Sequence, residues 1–148
     1  MVVLIWVRFS FRTRSRGLEV QLLPIANLPS SVTNIDREAF CSCVGLSEIK
    51  FPRNLKNIGS GGFAACNSLI DVSIPQSVES IGDYAFYHCL SLRRIRFEGD
   101  APHSYCDLFE DCPSNLVIEV KAGTKGWFTE PPVGRKGKWM GYDVQIVD

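Results

Sequence analysis

Apolar residues in the middle of this chain return in the same order every 23 positions. Pro29, Pro52 and Pro75 open three units, followed in each by Val32, Leu55 or Val78 and then by Ile35, Ile58 or Ile81. A small residue comes next (Ala39, Gly62, Ala85), then a phenylalanine (Phe40, Phe63, Phe86) and a cysteine (Cys43, Cys66, Cys89). The units close with Leu46, Leu69 and Leu92, then Ile49, Val72 and Ile95, then Phe51, Ile74 and Phe97. A fourth, decayed unit keeps Phe109, Cys112, Ile118 and Val120 in register. A single unit of this length leaves its large apolar side chains facing nothing, so they are buried only when the next unit stacks on it. The pattern therefore predicts a coil whose equivalent residues form ladders along its axis.

Within each unit the segment Leu-x-x-Ile-x-Phe (46–51, 69–74, 92–97) alternates apolar and polar residues over its last positions, as a short strand with one buried face does. Stacked copies predict a parallel sheet. Pro52 and Pro75 follow directly, cannot donate to a ladder, and turn the chain. The Val-x-x-Ile-Gly stretch then returns as a short extended piece. At 36–40 and 83–86 an acidic residue precedes helix-forming residues, which predicts a capped helical turn.

A solenoid exposes an apolar cross-section at each end, so the terminal segments are expected to cover it. Val7, Phe9 and Phe11 alternate with polar residues, as do Leu18, Val20 and Leu22, predicting a hairpin joined near 13–17. At the other end Tyr142, Val144 and Ile146 predict a final strand, and the proline- and glycine-bearing stretch 129–138 an irregular loop. The expected organisation is a capping hairpin over 1–27, repeats over 28–120 (29–51, 52–74, 75–97 and a degenerate 98–120), and a C-terminal cap over 121–148.

The repeats resemble the BspA-like leucine-rich repeat, whose consensus is roughly I-P-x-x-V-x-x-I-G-x-x-A-F-x-x-C-x-x-L-x-x-I. Ile74-Pro75, Gly82, Ala85-Phe86, Cys89, Leu92 and Ile95 fit it at every defining position. The second unit departs at Gly62 and Leu55, and the first has Asp36 where glycine is usual. Gly123-Thr124-Lys125-Gly126-Trp127 looks like the closing motif such proteins carry. The resemblance implies a leucine-rich-repeat right-handed coil, an α/β solenoid that is mostly β, with short parallel strands and short helical turns. It also implies a bacterial surface or secreted protein with a role in adhesion to host matrix or cell-surface proteins.

Composition narrows the field further. At 45% hydrophobic and 22% charged residues the chain has the make-up of a globular domain. Sixteen basic and sixteen acidic residues cancel, so no global field draws it to nucleic acid or an anionic membrane. Met1 to Val7 are apolar but too few to span a bilayer, and their positive charge follows rather than precedes them, unlike a secretory signal. Either the protein stays inside the cell, or the sequence is a fragment or mis-started copy of a longer exported chain. The family resemblance supports the second reading.

Several constellations invite chemistry and are better explained otherwise. Six cysteines suggest disulfides, but the spacing of Cys43, Cys66, Cys89 and Cys112 is that of one repeating slot. A buried thiol behaves there as a small apolar side chain. Cys41 and Cys106 fall outside the ladder, and a Cys106–Cys112 bridge is compatible with the spacing without being implied by it. A zinc site would gather His103, Cys106 and Cys112 with His88 or Cys89, yet the gaps do not repeat as paired knuckles do. A hydrolase centred on Cys106 or His103 lacks a local signature. Gly59-Ser60-Gly61-Gly62 is followed by no Lys-Ser or Lys-Thr pair and occupies the repeat turn. Arg8, Arg12, Arg14 and Arg16 beside Phe9 and Phe11 could meet nucleic acid, but the period-two alternation favours one face of the capping hairpin.

The outward positions of the strands remain as the candidate binding surface. Glu48, Asp71 and Arg94 form one row; Lys50, Ser73, Arg96 and Glu119 form the next, with Asp71 expected beside Arg94 and Arg96 beside Glu119. Arg93, Arg94 and Arg96 make a local basic spot. The expected function is a non-catalytic binding module, with no cofactor and no metal, whose concave sheet face meets a protein or glycan. The chain is expected to be monomeric, to bind no nucleic acid and to insert in no membrane. The alternative is a structural spacer within a larger surface protein.

Overall fold

The computed structural model describes residues 24–104, 107–128, 134–139 and 141–148. The strand segments of successive units stand side by side: β1 (Ile25–Asn27), β3 (Glu48–Lys50), β5 (Asp71–Ile74), β7 (Arg94–Phe97) and β8 (Val117–Lys121). Between them lie the short returns β2 (Asn34–Ile35), β4 (Asn57–Ile58) and β6 (Ser80–Ile81), which form a second parallel sheet. Two strands follow the repeats, β9 (Lys136–Trp139) and β10 (Tyr142–Val147). The register is one coil per step: Ile25 pairs with Glu48, Asp71 with Arg94, and Arg94 with Val117. β3 runs alongside β5 without ladder bonds, so the strand face comprises a two-stranded sheet and a five-stranded sheet ordered β5-β7-β8-β10-β9.

The interior is built from repeated slots. Phe40, Phe63, Phe86 and Phe109 stack ring over ring with centroids 5.0, 5.4 and 5.9 Å apart, and Phe51 meets Phe63 edge-on. Leu46, Leu69 and Leu92, then Ile49, Val72 and Ile95, fill the remaining volume, all buried. Within this interior no polar or charged residue is buried among the described residues, so the coils are held chiefly by apolar burial. Three thiols of the cysteine ladder also donate to the carbonyl of the preceding coil's phenylalanine: Cys66 to Phe40 (3.1 Å), Cys89 to Phe63 (3.2 Å) and Cys112 to Phe86 (3.1 Å). That bond explains why the slot carries cysteine rather than alanine or valine. The carbonyls of Phe40 and Phe63 already accept from the Cys43 and Cys66 N–H groups, so the thiol adds a second donor to an acceptor that faces the dry interior.

The helical turns expected at 36–40 and 83–86 are absent; the described residues contain no helix. Along 38–43 the backbone N–H groups alternate between two acceptors. Those of Ala39, Cys41 and Cys43 turn back three residues, to Asp36, Glu38 and Phe40. Those of Glu38, Phe40 and Ser42 point to the next coil, to Ser60, Gly62 and Ala64. Glu38 and Ser42 are left-handed (φ 55° and 60°), and the same two slots are left-handed in every later coil: Gly61 and Ala65, Tyr84 and His88, Asp107 and Asp111. A left-handed residue every fourth position cannot continue a right-handed helix. It aims the N–H along the stack instead.

The Ile-Gly step of the repeat has a packing cause. A Cβ on Gly82 would lie 2.4 Å from the Ser60 nitrogen, and one on Gly59 2.6 Å from that of Arg37, so each coil's backbone passes directly over the last.

At the C-terminal end β10 runs parallel to β8, and β9 antiparallel to β10. The strand expected at Tyr142, Val144 and Ile146 is thus present. Part of the stretch 129–138, expected as loop, is instead strand from Lys136. Trp127 and Trp139 are buried, pack on each other (4.8 Å) and close on Phe97 (4.7 and 5.8 Å). The Trp127 indole N–H donates to the Gly99 carbonyl at 3.1 Å, and Tyr142 meets Phe109 edge-on. The hairpin expected before residue 24 lies outside the described residues.

Replacing Phe63 by alanine should cost about 3–5 kcal/mol, because its fully buried ring contacts the coils on both sides. Chemical denaturation of the variant measures this; a loss under about 1 kcal/mol would contradict a shared ring stack.

Candidate binding surface on the strand face

The outward rows of the strand face begin one coil earlier than the charged residues suggest. Row one runs Ile25, Glu48, Asp71, Arg94, Val117, and row two Asn27, Lys50, Ser73, Arg96, Glu119, Gln145, placed by the strand register and by the 23-residue repeat across the β3–β5 step. All seven candidate residues, Glu48, Lys50, Asp71, Ser73, Arg94, Arg96 and Glu119, stand on this one face. Their side chains alternate with the buried Ile49, Val72, Ile95 and Ile118.

Charge on this surface is largely matched within the chain. Arg94 reaches Asp71 (Nε to Oδ1, 3.2 Å), as the register predicts, and also Glu119 diagonally (Nη1 to Oε1, 4.0 Å). Arg96 does not pair with Glu119 across the ladder. Its Nε lies 3.1 Å from Glu98 Oε1 without hydrogen-bond alignment, and its Nη2 donates to the Asp148 main-chain carbonyl at 3.0 Å. Ser73 Oγ stands 3.5 Å from the same Glu98 oxygen, and Lys50 pairs with Glu48 at 3.2 Å. The basic spot expected at Arg93, Arg94 and Arg96 therefore reduces to Arg93, which is exposed and makes no ion pair among the described residues. Glu98 was legible as the next outward position after Arg96 on the same strand direction. Asp148 had no sequence signal, since it arrives through the fold of β10.

The neighbouring β2-β4-β6 sheet carries a polar row that sequence reading passed over. Ser80 Oγ donates to Asn57 Oδ1 (2.6 Å), Asn57 Nδ2 to Asn34 Oδ1 (2.5 Å) and Asn34 Nδ2 to Thr33 Oγ1 (3.0 Å). Asn34, Asn57 and Ser80 line an open groove of about 420 Å³ with Arg37 and Ser60. Their spacing of 23 was the available signal.

The residues of the competing chemistries are dispersed. His103 is exposed in an isolated bridge with Ser80, His88 lies on a turn beside Asp111, and Cys106 falls outside the described residues. Among the described residues no three His, Cys, Asp or Glu side chains converge as a metal would require, and no helix is long and apolar enough to cross a membrane. Burial pushes the Cys43 thiol up to about 11, with the neighbouring Cys41 adding to it, and burial likewise raises Cys66. The Cys89 thiol is raised by its hydrogen bond with Cys112, then by burial, while Cys112 is lowered through that same bond.

A stack of 23-residue coils with a ridged polar strand face over a dry interior of leucine, isoleucine, phenylalanine and cysteine defines a leucine-rich-repeat solenoid, the fold of protein-interaction modules that are typically non-catalytic. The chain belongs to the BspA-type leucine-rich-repeat family, whose model matches residues 20–123 in six copies. It is also similar to a leucine-rich-repeat protein of T. pallidum known from its crystal structure. The two share 40% identity with a TM-score of 0.55, over 63% of this chain and 46% of that one. The chain thus aligns with less than half the length of that protein. No curated protein matches it.

Alkylation of the native protein near neutral pH should label Cys41 and Cys112, both only partly buried, and leave Cys43, Cys66 and Cys89 unmodified until unfolding. Peptide mapping by mass spectrometry reads the order directly, and early labelling of Cys66 would contradict the buried ladder.

Proposed function

We propose that this chain is a non-catalytic binding module of a bacterial surface or secreted protein, acting in adhesion by holding a host matrix or cell-surface protein, or a glycan, against its strand face. The observation that carries the reading is the pair of outward rows at 48–119, in which the arginines are fixed by Asp71, Glu98, Glu119 and the Asp148 carbonyl. Side chains already oriented lose little freedom on contact with a partner. The seven row residues would form the contact surface, and charge reversal there acts on partner orientation and approach rate. In this reading the segment 121–148 caps one end of a monomeric stack, with no cofactor or metal in its action. The family's general association with bacterial surfaces supports the location.

The same internal pairing also favours a second reading, a spacer whose charges only keep adjacent strands compatible. Cross-strand pairs of this kind contribute about 0.2–1 kcal/mol. Reversal of Arg94 and Arg96 to glutamate separates the two. As a binding module, the double variant should lose tenfold or more in attachment to immobilised matrix proteins and host cells while keeping its fold. Unchanged attachment by a folded variant excludes the strand face.

Denaturant titration of Arg94→Ala alone should show a loss of no more than about 1 kcal/mol, since both of its ion pairs are solvent-screened on the arginine side.

A further inference from the structure

The turn side of the stack carries a second surface of different chemistry. Where the second coil has Gly61, Ala64 and Ala65, the third has Tyr84, Tyr87 and His88, and the fourth has Asp107, Glu110 and Asp111. Backbone bonds hold these rows in register: Ala65 N donates to the Tyr87 carbonyl at 2.7 Å, and His88 N to that of Glu110 at 2.9 Å. The Tyr84 and Tyr87 rings meet edge-on, 5.9 Å apart, and the Tyr87 ring tilts onto His88 at 5.7 Å. His88 Nδ1 lies 3.7 Å from Asp111 Oδ2, too far for a hydrogen bond.

Neither tyrosine serves the core, whose slots at this turn belong to Ala85 and Phe86. Tyr84 is 42% exposed and occupies a left-handed position (φ 57°) that Gly61 fills one coil earlier. On one side of the rings lies a shelf of three small residues, and on the other lie three carboxylates. The chain's charges sum to zero, so this excess of acid is local. Aromatic faces attract cations through their quadrupole, and carboxylates at the rim add charge attraction.

We propose that this turn face is a docking site for a basic segment of a protein partner, with a lysine or arginine side chain seated against Tyr84 and Tyr87 and its charge met by Asp107, Glu110 and Asp111. The site is independent of the strand face.

Fluorescence anisotropy of a labelled, N-acetylated Lys-Gly repeat peptide titrated with the full chain tests it. Salt-sensitive binding is expected, with Tyr84→Phe within twofold of the parent. Tyr84→Ala and the pair Glu110→Gln with Asp111→Asn should each weaken binding fivefold or more, and the strand-face variant Arg94→Glu should leave it unchanged. The proposal is overturned if the parent does not bind, if Tyr84→Ala binds as tightly as the parent, or if Arg94→Glu abolishes binding. Attachment to phosphatidylcholine vesicles with none to the peptide would also overturn it, by making the cation a lipid headgroup.

Discussion

Every coil of this protein has apolar side chains that its own 23 residues cannot cover, and the structure is organised around burying them against the next coil. The stack of Phe40, Phe63, Phe86 and Phe109 is the clearest expression of that constraint. Equivalent side chains must arrive at the same depth in each turn, which fixes the strand register and the length of each return. The close backbone passage at Gly59 and Gly82 follows from the same requirement. The end of the stack meets it differently. Trp127 and Trp139 close over Phe97 as a separate aromatic cluster outside the phenylalanine stack.

Main-chain polar groups are satisfied in ways that the apolar pattern alone does not dictate. Along the turn, left-handed residues direct alternate N–H groups to the next coil, and the cysteine thiols cover the phenylalanine carbonyls from inside. The cysteine ladder is therefore a set of hydrogen-bond donors that are also apolar enough to be buried. Its even spacing reflects that role rather than disulfide or metal chemistry.

Because the interior is so uniform, differences between coils appear on the outside, where the repeat places no constraint on side-chain type. Three such surfaces emerge: the paired charges of the strand face, the amide and hydroxyl row of Asn34, Asn57 and Ser80, and the tyrosine and carboxylate rows of the turn. A rigid scaffold holding several chemically distinct faces is suited to binding, and the function proposed for this chain rests on that property. The match with the T. pallidum protein supports the scaffold and leaves the faces to be read from this chain's own residues.

How much of this was legible in the sequence depends on whether a feature is set by the repeat or by chain segments far apart. The ladder slots, the parallel strands, the position of the outward rows and the Asp71–Arg94 pair all follow from a period of 23, because burial of identical slots forces identical register. The helical turn expected at 36–40 does not form, since left-handed conformation at Glu38 and Ser42 is imposed by bonds to the neighbouring coil and not by the local residues. The strand beginning at Lys136 lies where a loop was expected, because Gly137 reads as a loop residue in sequence but is required by the Phe128 ring, which lies 2.3 Å from where a Cβ would stand. The partners of Arg96 were decided by tertiary structure in the same way. β10 brings the Asp148 carbonyl to it across 52 residues of chain, and no periodicity encodes that contact.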